Sequence, residues 1–131
     1  MSRHLAYALA LCAAPAAAQV PLDVPSGQPV THHDTITGEP GPAGLTVRFR
    51  FIAPQIARDA GTMPFEIAAG DMEYLCETFA LPRLPGIGPQ VSQIVVTLMD
   101  RPVTFGDPDP QATQFFEAYR PEDGRCIWEG F

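Results

Sequence analysis

The chain has 131 residues, of which 46% are hydrophobic and 18% are charged, a balance typical of a globular protein. Its length allows one domain with a modest core. With 15 acidic and 8 basic residues, its formal net charge is −7. This charge disfavours nucleic acid and anionic lipid surfaces as general partners, because both attract basic proteins.

Residues 1–18 have the organisation of a secretory signal peptide. Arg3 and His4 precede an apolar run over residues 5–14, and small residues end the segment at Ala18. This order of charged, apolar and small residues is the pattern that precedes signal-peptide cleavage. A membrane anchor is the alternative, but a spanning helix needs about 20 apolar residues. We therefore predict cleavage after Ala18 and a periplasmic or secreted protein.

The segments that follow predict a short lead-in and two strands. Prolines make residues 19–29 an extended lead-in to a single domain over residues 30–131. A first strand is predicted over residues 30–36, and dense Pro and Gly predict a loop over residues 39–44. The clearest strand covers residues 45–52, where apolar and polar side chains alternate.

The middle of the chain predicts one helix. Residues 65–67 are predicted to form a short strand, and Asp71 is predicted to be the N-cap of the helix that follows. An apolar stripe at helical spacing is formed by Met72, Leu75, Cys76 and Phe79. Pro82 is predicted to end the helix and to begin a loop.

The last third of the chain predicts further strands. Residues 91–99 are rich in β-branched side chains and predict a central strand, and residues 103–105 predict an edge strand. Residues 115–120 and 125–129 predict a hairpin with a four-residue turn. The predicted fold is α+β: one helix packed on an antiparallel sheet of about five or six strands.

Cys76 and Cys126 are the cysteines left after signal-peptide removal. In an oxidising compartment, such a pair in a small domain predicts a disulfide bond. Two free thiols or a redox pair are the alternative, but the Cys-x-x-Cys spacing that tunes thiol pKa is absent. The bridge would attach the helix to the sheet and add roughly 4 kcal/mol to stability.

Three adjacent polar residues are the strongest metal-binding candidates. His32, His33 and Asp34 carry side chains that bind metal ions. In a regular strand, only His32 and Asp34 share a face, so they are the candidate ligands and would need a third from elsewhere. The competing interpretation, a solvated polar strand, is favoured, and no metal or other cofactor is predicted.

Other residues give little indication of catalysis. Ser26 and Ser92 lack the Gly-x-Ser-x-Gly elbow of serine hydrolases, and no catalytic residue is predicted. Asp107 and Asp109 could supply oxygen ligands to calcium. Flanking prolines favour a turn instead.

Two groups of residues are candidates for ligand contact. Arg48 and Arg50 share one strand face and could bind an anionic ligand, or could pair with acids on a neighbouring strand. Aromatic residues cluster near the C-terminus and could form either a binding patch or part of the core: Phe115, Phe116, Tyr119, Trp128 and Phe131.

Five distinctive stretches cover residues 25–30 (PSGQPV), 48–54 (RFRFIAP), 71–76 (DMEYLC), 113–120 (TQFFEAYR) and 126–129 (CIWE). In these stretches the chain resembles a family of uncharacterised secreted proteins of Gram-negative bacteria, a domain of unknown function. The resemblance implies secretion. It implies no activity, ligand or catalytic residue.

The preferred functional interpretation is a small secreted or periplasmic binding or protein-interaction domain. Its partner would be an unknown protein or small molecule, and the mature form would have no membrane span. The alternative is a small periplasmic hydrolase or metal-dependent enzyme that uses an unrecognised acid or His32. Catalysis needs a positioned nucleophile, base or metal, and the sequence offers no clear set of such groups.

Export generates the first testable prediction. Protein isolated from a periplasmic extract is expected to begin at Gln19, because small residues precede that position and the apolar run precedes them. Intact-mass measurement checks the cleavage point. A full-length chain recovered from the cytoplasm would contradict the prediction.

Overall fold

The computed structural model describes residues 20–41, 44–59 and 61–130. The predicted signal peptide and Phe131 therefore lie outside the described residues. In chain order the elements are β1 (Pro21–Leu22), β2 (Val30–Gly41), β3 (Gly44–Ile52), a 3₁₀ turn (Pro54–Ile56), α1 (Phe65–Leu75), a π-helical stretch (Cys76–Ala80), α2 (Leu81–Ile87), β4 (Val91–Met99), β5 (Gln114–Glu122) and β6 (Arg125–Glu129).

The six strands form one curled sheet in sequence order, β1 to β6. Neighbouring strands are antiparallel except for β3 and β4, which are parallel. The helical segment, residues 65–87, connects β3 to β4. It returns the chain to the end of the sheet where β3 begins, as a parallel pair of strands requires. The predicted α+β fold with one helix and a six-stranded sheet is confirmed, and the sheet is mixed rather than wholly antiparallel.

The predicted loop over residues 39–44 is too long, because β2 continues to Gly41 and pairs with β3 from Gly44; residues 42–43 lie outside the described residues. Pro40 is tolerated within this strand because β2 lies beside β1 only at residues 30–31. The missing N–H of Pro40 therefore costs no bond to β1.

Two register shifts interrupt β2. One falls between His32 and Asp34, and the other between Ile36 and Glu39. A bulge adds a residue on one strand and so breaks the simple alternation of side chains between the two faces. His32 consequently lies opposite Phe51, while Asp34 lies opposite Arg50.

One face of the sheet packs against the helical segment and holds the core. Buried side chains from β3 and β4 meet those of the helical segment there: Val47, Phe49, Phe51, Ile94, Val96, Leu98, Met72, Leu75 and Phe79. The other face, here called the open face, carries Arg48, Arg50 and Thr97 in neighbouring strands. The predicted alternation in β3 is thus confirmed, with its arginines opposite the core.

The helical segment begins earlier than predicted. Phe65 to Ile67 form the first turn of α1, not a strand, and Pro64 precedes it with extended backbone angles. Asp71 is not the N-cap, because it lies within the helix and is 1% exposed. Its carboxylate accepts hydrogen bonds from the backbone N–H and hydroxyl of Ser26 and from the side chain of Gln28. Asp71 therefore attaches the lead-in to the helix.

Pro82 does not end the helix. The wide turns of the π-helical stretch precede it, with the N–H of Leu81 bonded to the carbonyl oxygen of Cys76, and Pro82 follows without a break in the helical backbone. The chain stays helical to Ile87, and Gly88 follows with φ of 141°.

The C-terminal hairpin is confirmed, with a shorter turn than predicted. β5 extends to Glu122 and β6 begins at Arg125, so the turn consists of Asp123 and Gly124, with φ of 50° and 74°. Two consecutive positive φ angles match the twist of a two-residue hairpin. The predicted edge strand at residues 103–105 is wrong, because these residues belong to a loop across the open face.

The predicted disulfide is present between Cys76 and Cys126, whose Cα atoms are 6.3 Å apart. It joins the π-helical stretch to β6, the last strand of the sheet. Both cysteines are buried, so the bond closes the end of the core.

Loss of this disulfide is expected to lower stability. Cys126→Ser should reduce the free energy of unfolding by about 2–5 kcal/mol, because the unfolded chain gains conformational freedom. Urea denaturation of both proteins without reducing agent measures the difference in the free energy of unfolding. Reducing agent should destabilise the unaltered protein by a similar amount and leave the variant unchanged. Equal stability of variant and parent would contradict the prediction.

Candidate functional site

A small pocket of about 200 Å³ opens on the open face. Strands β3, β4 and β5 supply its floor, and the loop over residues 101–112, here called the covering loop, supplies its wall. Its lining consists of Arg48, Arg50, Thr97, Gln114 and Phe116 from the strands and residues 103–107 from the loop. We call this cavity the open-face pocket.

Arg50 connects strand β2 and the covering loop through hydrogen bonds below the pocket. Its guanidinium is 4% exposed and binds both carboxylate oxygens of Asp34, at 2.6 and 2.5 Å. Its remaining Nη1 donates to the carbonyl oxygen of Val103 at 2.7 Å. Arg50 therefore attaches the covering loop to the sheet. Its guanidinium is engaged in this structural role.

Arg48 is engaged less completely than Arg50. Its Nε donates to Glu39 at 3.3 Å, and about a third of each side chain is exposed. Within the described ranges, its terminal Nη1 and Nη2 groups have no hydrogen-bond acceptor. Those two groups form the fork that binds a carboxylate in a bidentate manner.

Thr97 lies on the pocket floor beside Arg50. Its side chain is 1% exposed, and among the described residues its hydroxyl oxygen has no hydrogen-bond partner. Most buried polar groups in folded proteins are paired, so an unpaired hydroxyl at the floor of a pocket is unusual.

Two phenylalanines give the pocket an apolar side. Phe105, on the covering loop, and Phe116, on β5, are 41% and 44% exposed. The ring of Phe105 lies 5.6 Å from the guanidinium carbons of both Arg48 and Arg50, within cation–π range.

The covering loop is anchored at its ends as well as at Val103. Asp100 and Thr113 exchange a backbone hydrogen bond at 3.0 Å and a side-chain bond at 2.7 Å. Arg58 donates to the carbonyl oxygens of Pro110 and Ala112 at 2.9 and 3.1 Å. These contacts hold the loop in one position over the sheet.

The candidate metal ligands are separated by the bulge in β2. His32 lies on the core side, with its ring 4.8 Å from Phe79, and burial lowers the pKa of its imidazole. Asp34 lies on the open face with Arg50. Burial would raise the pKa of Asp34, but its hydrogen bonds and ion pair with Arg50 outweigh that effect and lower the pKa. Across the part of the chain that the structure describes, no group of three His, Cys, Asp or Glu side chains could hold a metal ion.

Three of the other polar candidates make hydrogen bonds within the protein. Ser26 donates its hydroxyl to Asp71 at 2.5 Å, and Ser92 lies 3.4 Å from the carbonyl oxygen of Leu45. Asp109 accepts hydrogen bonds from the backbone N–H groups of residues 111 and 112 and so forms a turn. Asp107 lines the open-face pocket.

The C-terminal aromatic residues do not form one patch. Phe115 packs against Phe65 at 5.2 Å, while its neighbour Phe116 points to the opposite face. Tyr119 is 2% exposed and belongs to the core. Trp128 is 65% exposed, and its indole N–H donates to Glu117.

The sequence singled out Arg48 and Arg50, and the structure adds Thr97 and Phe105 to them. No short-range pattern indicates Thr97, because its position beside Arg50 depends on the register between parallel strands separated by a helix. The predicted edge strand includes Phe105, and the turn predicted at Asp107 and Asp109 follows it. In the structure, Phe105 itself belongs to the loop.

The chain matches a known family whose function is not established. The model of a family of unknown function (DUF6497) matches residues 7–131. The search of curated proteins found no match, and neither did the search of solved structures. No described helix is long and apolar enough to cross a membrane.

Removal of Asp34 is expected to destabilise the protein more than removal of Glu39. Asp34→Ala should cost about 2–3 kcal/mol, because it leaves the buried Arg50 charge without its main partner, although water could partly replace the exposed third of the carboxylate. Glu39→Ala, at the half-exposed Arg48 pair, should cost less than about 1 kcal/mol.

Urea denaturation at several pH values measures both effects. Because the pKa of Asp34 is lowered on folding, its contribution is complete above its ordinary value of 3.8 and is lost as the pH falls further. The difference between Asp34→Ala and the parent should therefore shrink in acid. Equal costs for the two variants at neutral pH would contradict the role assigned to Arg50.

Proposed function

The chain belongs to the DUF6497 family of unknown function, and we propose that it is a small exported domain that binds a ligand in the open-face pocket. The supporting observation is the lining of that pocket, where the Nη groups of Arg48 have no acceptor among the described residues and the half-exposed rings of Phe105 and Phe116 supply apolar surface. Apolar surface and a few polar groups that converge on one cavity are typical of small-molecule sites.

The pocket is also prepared for binding before a ligand arrives. Arg50 donates a hydrogen bond to Val103 near the start of the covering loop, and Arg58 donates to Pro110 and Ala112 near its end. A site whose walls are already ordered loses little conformational entropy when it binds. This rigidity favours recognition of a small molecule over adaptation to a large one.

Export is part of the proposal. The charged, apolar and small-residue order of residues 1–18 supports it, and so does the Cys76–Cys126 disulfide, since such bonds persist in oxidising compartments. We place the mature protein in the periplasm or outside the cell. A binding role is preferred to the hydrolase alternative because His32 packs on the core side, away from the pocket.

A pair of threonine variants tests whether the Thr97 hydroxyl beneath the pocket is unpaired. Thr97→Val should leave the free energy of unfolding unchanged or raise it by up to about 1 kcal/mol, because it removes an unpaired buried hydroxyl without changing the shape of the side chain. Thr46→Val is the matched control. Thr46 is also buried, but its hydroxyl donates to Gln93 at 3.0 Å, so its loss should cost about 0.5–1.5 kcal/mol.

Fragment binding tests the proposed function directly. A library of small fragments should shift the amide NMR signals of Thr97, Phe105 and Phe116 in the parent protein. If Thr97→Val proved as destabilising as Thr46→Val, the Thr97 hydroxyl would have a partner inside the protein. Failure of every fragment to perturb the pocket would refute the proposed function itself.

A further inference from the structure

We infer that the open-face pocket takes an organic monocarboxylate with a flat apolar body, an inference that rests on the proposed function. The ligand class follows from three features of the pocket: the free fork of Arg48, the two half-exposed phenylalanines, and the balance of charges around them.

The free Nη groups of Arg48 are suited to the carboxylate. The Nε group donates to Glu39, which leaves Nη1 and Nη2 without an acceptor among the described residues. Two parallel N–H groups match the two oxygens of a carboxylate and form stronger bonds with an ion than with a neutral amide. Arg50 cannot serve in the same way, because Asp34 and Val103 occupy its donors.

The phenylalanines define the rest of the ligand. Phe105 lies over the two guanidinium groups, and Phe116 borders the same cavity from the neighbouring strand. Aromatic rings prefer offset or edge-on contacts with other flat groups. In a cavity of about 200 Å³, a single small ring or a short unsaturated chain is therefore the expected body.

The charges around the pocket disfavour a second negative group on the ligand. Asp34 and Glu39 pair with the two arginines, and Asp107 adds a third carboxylate to the covering loop. A monocarboxylate at Arg48 adds one negative charge. A dianion such as inorganic phosphate would add nearly two beside the same acids, and like charges repel.

Binding measurements with three probes test the inference. Amide NMR signals of the exported protein should shift on titration with benzoate, and affinity should be about tenfold or more weaker for benzamide, which has the same shape without the charge. Inorganic phosphate should leave the pocket signals unchanged. Arg48→Gln should abolish the preference for benzoate over benzamide, whereas Arg120→Gln, at an exposed arginine on β5, should preserve it.

The outcomes separate this inference from the proposed function. If uncharged fragments bind the pocket but benzoate has no advantage over benzamide, the carboxylate assignment is wrong and the binding role stands. Retention of the benzoate preference in Arg48→Gln would also overturn the assignment. If no fragment of any charge binds in the pocket, the proposed binding function itself is wrong.

Discussion

The buried guanidinium of Arg50 is the contact on which the open face depends. A charge removed from water is tolerated only when it is paired and hydrogen-bonded, and Arg50 achieves this with Asp34 on one side and Val103 on the other. Because Arg50 needs both partners, this one charged group on β3 fixes the bulged strand beside it and the loop above it. The pocket forms between these elements.

The two faces of the sheet are accordingly stabilised in different ways. The core face gains stability from apolar burial against the helical segment and is closed by the disulfide at β6. The open face gains its order from hydrogen bonds to the covering loop and from a small apolar cluster of Met99, Val103, Ala112 and Ile52, and the cavity lies beside these contacts. Because strand side chains alternate between faces, the same nine-residue strand β3 supplies Phe49 to the core and Arg48 to the pocket.

Local patterns predicted the elements whose partners are close in sequence or whose alternation is regular. The strand with Arg48 and Arg50, the central strand β4 and the terminal hairpin followed from period and turn chemistry. The extent of the helical segment did not, because Pro82 normally ends a helix and the π-helical stretch before it makes the exception. The separation of His32 from Asp34 depended on a bulge that no local signal marks.

The pocket itself was only half predictable. Sequence periodicity placed the two arginines on one face, but it could not distinguish a free guanidinium from a paired one, since that depends on Asp34 and Glu39 in β2. Thr97 became part of the site through the parallel pairing of β3 and β4, a contact that spans the whole helical segment. Long-range register of this kind is decided by the packing of the complete fold.

The irregular strand β2 also affects how copies of the protein meet one another. Beyond its short pairing with β1, the outer edge of β2 has no neighbouring strand in the described ranges. A long, flat edge would be a template for joining sheets from different molecules into fibrous assemblies. Two breaks in register and the missing N–H of Pro40 disrupt the row of donors and acceptors that such joining needs. The bulge that separates His32 from Asp34 is therefore also expected to disfavour edge-to-edge association between copies of the protein.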